Sequence, residues 1–342
     1  MIKPKILKKG DTIGLVSPSS PMAGLVPHRF AIGCESLEKM GFKIKIAKNA
    51  LKVTDYTAGS AKERADDINE MFADMEVKAI MSTIGGFHSN QIINFLDYKM
   101  IELYPKIFIG FSDITVLHFA LHTQCNMVTF YGPALLTQFG DSFGVFDYTQ
   151  EYFKKALMQV EPIGQVKSSS EWTDESPDWF LKKDRERPRI MKNNEGFIWI
   201  KPGHASGKTI GGCITSMMHL RGTKFWPSFK KKIFFWELPE SSYSYEKGEP
   251  LARVESFLTD FMLSGVFDAI AGMVVGRPKG YNNEEFQKLA EIIKFFTKDF
   301  DFPVLYNVDI GHTDPIMTLP IGVRVNLDSR ENSFEISEAA VK

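Results

Sequence analysis

What most constrains the fold of this chain is a repeated exchange between two hydrophobic periods. Short, continuous apolar runs, TIGLVS (12–17), KAIMSTI (78–84), and those at 106–109 and 127–131, alternate with segments whose apolar residues recur at helical spacing. A strand covered on both faces has no polar side to display, so it reads as an unbroken apolar run. Parallel neighbours need a crossover between them, most often a helix. The alternation therefore predicts βα units and a mostly parallel sheet with helices on both faces. The punctuation agrees. The helical segment 29–40 stops at Gly41, and 42–47 alternates like a strand. Ser60-Ala61-Lys62-Glu63 is a capping-box signature that opens a helix to about residue 75. Segments 88–96 and 113–122 read as further helices. In open sheets of this kind ligands gather at the carboxyl ends of strands. That rule singles out the end of TIGLVS, Gly85-Gly86, and Gly110-Phe111-Ser112-Asp113.

The pattern lapses between about 160 and 208 into a polar stretch rich in Ser, Pro and charge, which still carries Trp172 and Trp179. A solvated linker has no use for two tryptophans, so part of this stretch is expected to touch something. Regular elements then resume: KIFFWE (232–237) as a strand, 250–263 as a helix, AIAGMVVG (269–276) as a strand, 284–298 as a helix, 303–308 as a strand, and 323–328 with 333–336 as a terminal hairpin. The expected organisation is an N-terminal α/β domain at 1–160, a linker or active-site loop at 161–207, and a C-terminal domain at 208–342.

Composition narrows the classes of function. Lys plus Arg number 41 against 42 Asp plus Glu, a net charge of −1, which disfavours a non-specific nucleic-acid binder. Cys34, Cys125 and Cys213 are widely spaced and form no CxxC pair, so neither a zinc site nor a disulfide framework is indicated. The opening MIKPKILKKGDTIGLV lacks the apolar core of a secretory signal, and no run approaches the ~18 apolar residues of a spanning helix. The expectation is a cytoplasmic protein with no metal, no cofactor, and neither membrane nor nucleic acid as partner.

Four places can carry chemistry. In IFIGFSDITVLHFAL (107–121) an apolar strand ends in a sharp turn at Ser112 before a helix. That geometry exposes a nucleophilic hydroxyl and aims the following amide at an oxyanion. The simpler alternative is that Ser112 only caps the helix. In STIGGFHSN (82–90) paired glycines allow close backbone approach to a ligand, or form a plain tight turn. Glu237 ends the strand KIFFWE, where the aromatic flank would desolvate it and call for a partner. His312 follows a strand and a glycine, and needs a carboxylate to fix its tautomer if it is a base; Glu237 can serve. His118 and His122, one helical turn apart, lack an accompanying carboxylate motif and read as ordinary helix positions. The order Ser…Glu…His is one used by serine hydrolases, and no dinucleotide, Walker or metal motif competes with it. The competing class is a non-catalytic binding protein on the same scaffold.

Taken together these residues resemble the LD-carboxypeptidase and microcin C immunity serine peptidases, nearly end to end. The matching blocks are GDTIGLVSPSSP (10–21), STIGGFHSN, IGFSD (109–113), YGP (131–133), IGGCITSMMHLRGT (210–223), FFWELPE (234–240), the segment 251–278, and PVLYNVDIGHTDP (303–315). The resemblance implies a flavodoxin-like parallel-sheet domain followed by a mixed α/β domain of swivelling β/β/α type, with the active site between them. It implies a metal-free triad in which Ser112 is nucleophile, Glu237 acid and His312 base, with the amides of Gly86 and Asp113 as oxyanion hole. It further implies a cytoplasmic homodimer acting on a small peptide or an aminoacyl-nucleotide, with Gly85, Ser89 and Trp179 on the substrate. The family has a murein branch, which removes terminal D-alanine from tetrapeptides, and an immunity branch, which cleaves an aminoacyl or peptidyl group from a nucleotide-like moiety. The glycine pair with Ser-Asn shortly after it, and the Trp-bearing segment, look more like the immunity branch. There an aromatic ring stacks on the base, and Trp179 lies at about the matching position. GCITSMM in place of a GGN-type sequence, and Leu238-Pro239 in place of the common Asp, depart from the pattern.

Overall fold

A computed structural model describes residues 1–242 and 244–342. Strands β1 (Thr12–Val16), β2 (Lys43–Ile46), β3 (Val77–Ser82), β4 (Ile107–Gly110) and β5 (Thr129–Tyr131) form a parallel sheet in the order β5-β4-β3-β1-β2. This is the flavodoxin-like order, with a switch point between β1 and β3. The apolar runs are buried as expected: Ile13, Leu15 and Val16, Ile80 and Met81, and Ile107 to Ile109 are all at most 1% exposed. The helices Pro27–Lys39, Ala61–Ala73, Tyr98–Leu103 and Thr115–Cys125 lie on the crossovers, and Ser60 and Glu63 make both bonds of the capping box. Segment 88–96 is not one helix but two short 3₁₀ turns, Ser89–Gln91 and Ile93–Phe95. The backbone there is claimed by tertiary bonds: Arg64 donates to the His88 carbonyl and the Gln91 side chain, and Tyr98 to the Ile93 carbonyl.

The second sheet is mixed. Its centre is parallel, built from His204–Cys213, Lys232–Glu237, Gly272–Gly276 and Val304–Val308. Ile198–Lys201 joins one edge antiparallel, and the hairpin Arg324–Asp328/Ser333–Ile336 extends the other. Gly164–Gln165 adds a last short strand. The polar stretch therefore contributes strands at both edges, and within it Glu171–Trp172 pairs with Lys192–Asn193. The helices Leu251–Leu263 and Asn283–Thr297 accompany this sheet, the latter opened by a capping box of Asn282 and Glu285.

The two halves interlock. Leu319–Ile321, from the C-terminal half, pairs antiparallel with β5 and completes the first sheet. The helix Thr115–Cys125 is buried on every side from Thr115 to Leu121, as a helix wedged between two layers must be. Among the described residues no helix is long and apolar enough to cross a membrane.

Candidate active site

Ser112 follows β4 with φ +62°, a left-handed conformation that a side chain with a Cβ rarely adopts. Such strain costs about 1–3 kcal/mol and persists only where the surroundings impose it. Here the Ser112 amide donates to the Tyr131 hydroxyl (3.1 Å) and its carbonyl accepts from Thr115 Oγ1 (2.6 Å). Ser112 is not a helix cap. The helix that follows is preceded by Ile114, and neither it nor the 3₁₀ turn Ser112–Ile114 has a side-chain cap. The hydroxyl is thus left for other uses.

The glycine pair lies over this turn. A Cβ on Gly85 would stand 2.8 Å from Ser112 Cβ, 3.0 Å from its Oγ and 3.1 Å from the Asp113 nitrogen, so only a hydrogen fits. Gly86 sits at φ +146°, and a Cβ there would meet Ser19 Oγ at 2.4 Å. Ser19 Oγ accepts the His88 amide (2.9 Å) and the Ser20 amide donates to the Gly85 carbonyl (3.2 Å), which fixes the loop's path. The Asp113 carboxylate turns away from the cleft and accepts the Ser89 amide at 2.9 Å. Ser89 is itself fully buried, and its Oγ has no hydrogen-bond partner among the described residues.

Glu237 ends the strand Lys232–Glu237 and is 0% exposed. Its Oε2 lies 2.7 Å from His312 Nδ1, and its Oε1 accepts the Tyr131 hydroxyl at 2.5 Å. A carboxylate can only accept, so His312 carries its proton on Nδ1 and leaves Nε2 as a lone-pair site. Burial opposes charging of His312. The charge of Glu237, its hydrogen bond and the more distant Glu240 outweigh burial and the repulsion of Lys279, and hold the imidazole pKa above its ordinary value. Gly311, at φ +100°, is a further position where only glycine fits: a Cβ there would stand 2.4 Å from Glu237 Oε2. The Phe111 ring packs edge-on against His312 at 5.0 Å, which brings the imidazole beside the Ser112 turn. No hydrogen bond joins Ser112 Oγ to His312 among the described residues, a looseness common before substrate arrives.

Residues 169–194 form a strap held from several sides. Asp309 accepts the Ser169 amide (2.8 Å) and is paired in the interior with Arg277 (2.7 Å). Thr173 and Asp314 exchange backbone hydrogen bonds. Arg189 bridges Asp314 (2.7 Å) and Asp141 (2.9 Å), and Lys279 donates to the Asp174 carbonyl and to Ser176 Oγ. Burial lowers the Lys279 pKa against the attraction of Glu240, Asp174 and Asp314. Trp179 is half-buried with the Arg29 guanidinium 4.2 Å over its ring, and Arg29 pairs with Asp184 of the strap at 2.7 Å. One side of the indole is thus engaged by a cation.

The structure thereby gathers Ser112, Asp113, Gly85, Gly86, Glu237 and His312 at one junction, while Trp179 belongs to the strap. Sequence reasoning passed over the hydroxyl of Tyr131, the Arg277–Asp309 pair and Lys279. Tyr131 ends an apolar strand whose pattern says only that it is buried. The charged residues are distinguished by burial, which sequence does not report.

Comparison with known proteins finds relatives along the length of the chain. The sequence model of the LD-carboxypeptidase N-terminal domain matches residues 13–132, and that of the LD-carboxypeptidase C-terminal domain matches 206–327. The chain is 33% identical to the microcin C7 self-immunity protein MccF of Escherichia coli over 339 residues, 97% of this chain and 94% of that protein. It is 30% identical to a probable murein peptide carboxypeptidase of Bacillus subtilis over 345 residues, 99% and 97% of the two chains. The solved structure of MccF with aspartyl sulfamoyl adenosine superposes with a TM-score of 0.91 at 32% identity, covering all of both chains.

Proposed function

Because the chain belongs to the LD-carboxypeptidase family, a family of serine peptidases, we propose that it hydrolyses the amide-type bond joining an aminoacyl or peptidyl group to a nucleotide-like moiety. The observation that carries the proposal is the pairing of His312 Nδ1 with the buried Glu237 carboxylate at 2.7 Å, beside a serine in a strained turn. In the proposed mechanism His312 Nε2 takes the Ser112 proton as Oγ attacks the scissile carbonyl. Glu237 keeps the ring oriented and stabilises the imidazolium. The amides of Gly86 and Asp113 receive the oxyanion, worth about 3–4 kcal/mol per donor in other hydrolases. The imidazolium then protonates the leaving nitrogen, and water, deprotonated by His312, releases the acyl group from Ser112.

The nucleotide side of the substrate is supported by the relatives. MccF has been solved with both aspartyl sulfamoyl adenosine and glutamyl sulfamoyl guanosine. Tolerance of two bases fits recognition by stacking, since every base presents a π-face. Trp179 is the proposed platform, and Gly85, whose backbone passes close over Ser112, and Ser89 are the further proposed substrate contacts. We place the enzyme in the cytoplasm as a homodimer, with no metal or cofactor in its chemistry. The second reading, release of D-alanine from a murein tetrapeptide, is favoured by the Bacillus subtilis relative. Aspartyl sulfamoyl adenosine and a murein tetrapeptide assayed side by side decide between them. Ser112→Ala should abolish turnover of whichever is cleaved and leave the fold intact. Full activity in that variant would overturn the serine mechanism.

A further inference from the structure

Tyr131 stands at the end of β5 with 1% of its surface exposed. Its ring is fixed on three sides by Phe235 (5.4 Å), His118 (5.9 Å) and Phe111 (6.4 Å). This packing fixes the hydroxyl between the two halves of the site, and the direction of each hydrogen bond there is determined. The Ser112 amide has only a proton to give, so the phenol oxygen accepts it at 3.1 Å. The phenol's one proton then goes to Glu237 Oε1 at 2.5 Å, while Glu237 Oε2 serves His312. A continuous chain runs from the backbone of Ser112 through Tyr131 and Glu237 to the imidazole. It crosses from the first sheet to the second.

We propose that Tyr131 is a positioning residue that ties the strained Ser112 turn to the triad carboxylate and sets how much of that carboxylate's charge reaches His312. This rests on the Ser112–Glu237–His312 mechanism. A charged-acceptor hydrogen bond is roughly twice as strong as a neutral one and draws charge toward the donor. With Oε1 so engaged, Oε2 is a weaker base toward the imidazolium than a carboxylate bonded to His312 alone. Burial and the neighbouring Glu237 and Cys213 keep the phenol protonated well past its usual range, so the donor is always present. The titratable groups facing His312 are Glu237, Glu240 and Lys279; Glu237, Cys213 and the His118 ring face Tyr131. None of the others can replace the lost proton donor, because Glu240 is an acceptor, the Cys213 thiol is a weak donor, His118 donates from Nε2 to the Gly110 carbonyl, and Lys279 is bound to the strap.

Tyr131→Phe keeps the ring and removes only the hydroxyl. With aspartyl sulfamoyl adenosine as the probe, kcat should fall about ten- to a hundredfold, the range for losing a bond to a charged group. KM should change little, and the acid limb of kcat/KM against pH should move to higher pH as His312 holds its proton more tightly. A purely packing role would not move that limb. An NMR titration of the His312 ring, comparing Ser112→Ala with Ser112→Ala/Tyr131→Phe, reads the same shift without turnover. A Tyr131→Phe enzyme with the wild-type acid limb, or an unmoved His312 titration, overturns the inference whatever happens to kcat. Full activity in Ser112→Ala alone overturns instead the mechanism on which it rests.

Discussion

Replacing Gly85 by alanine tests the geometry over the proposed nucleophile, Ser112, more directly than removing its hydroxyl. The residue has no left-handed backbone, so the substitution adds a methyl group without adding conformational strain. That methyl would stand 2.8 Å from Ser112 Cβ, 3.0 Å from Ser112 Oγ and 3.1 Å from the Asp113 nitrogen. Carbon pairs settle near about 3.5–4.0 Å, so the loop and the turn must part by roughly 0.5–1 Å. The neighbours are backbone and a short side chain, and cannot swing away. Overpacking of this kind costs about 1–3 kcal/mol of stability. The larger effect falls on the rate. Displacing a reacting group by about 1 Å costs on the order of 10²-fold, or about 2.7 kcal/mol of barrier. We expect Gly85→Ala to lower kcat for aspartyl sulfamoyl adenosine by about a hundredfold. It should also lower the thermal midpoint modestly, with native circular dichroism. An alanine variant within a few-fold of wild-type kcat and with unchanged stability would show that the loop does not close over Ser112, and the proposed oxyanion hole would fall with it.

Three further outcomes are expected. His312 must be neutral to act as base, and Glu237 holds its pKa above the ordinary 6.5, so kcat/KM should fall as pH is lowered through a value above 6.5; an acid limb below 6.5 would contradict the pairing. The linked stability has the opposite sense: the contribution of the His312–Glu237 pair should be fully present below the unfolded pKa and lost as pH rises through the folded one. Trp179→Ala should weaken binding of aspartyl sulfamoyl adenosine by about 1–3 kcal/mol in calorimetry and leave a murein peptide unaffected; equal losses would make the indole only an anchor stacked on Arg29. Arg277→Ala strands Asp309, which is 0% exposed, without its cation, and should cost about 3–5 kcal/mol in denaturant unfolding; a loss below about 1 kcal/mol would mean that the neutral donors left to Asp309, the Ser169 amide, Asn194 and Tyr148, suffice for it.

Much of the first sheet was legible because its physics is local. TIGLV and IFIG have no polar face, so they must be buried on both sides, and the capping signature at Ser60 marks a helix start from sequence alone. The terminal hairpin was legible from alternation, and Lys232–Glu237 to the residue. The misread segment 88–96 failed for a reason that no window of sequence contains: Arg64, distant in the chain, bonds the His88 carbonyl and the Gln91 side chain and holds the segment by tertiary contacts. In the same way the polar stretch looked like a linker because its charges carry no periodicity. Those charges are spent on distant partners, Arg189 on Asp141 and Asp314, Asp184 on Arg29.

What sequence hid most completely is how the two halves hold one another, and this decides the chemistry. Ser112 comes from the first sheet, Glu237 and His312 from the second, and their contact needs a junction rigid to a fraction of an ångström. The chain builds it by exchange. The C-terminal half lends Leu319–Ile321 to the first sheet. The helix behind Ser112 is clamped from the other side, where the Cys213 amide donates to Thr115 Oγ1 at 2.9 Å. Cys213 is in turn the register partner of Glu237 in the parallel pair of strands. One hydrogen bond therefore ties the first turn of the helix after Ser112 to the residue beside Glu237, and the Tyr131 hydroxyl ties the Ser112 amide to the Glu237 carboxylate. A hinge between the halves would have to break both links together with a paired strand. The site is thus preorganised by links that cross from one sheet to the other, and the strap is held over it by polar contacts of Lys279, Arg189 and Arg29 that are themselves largely buried.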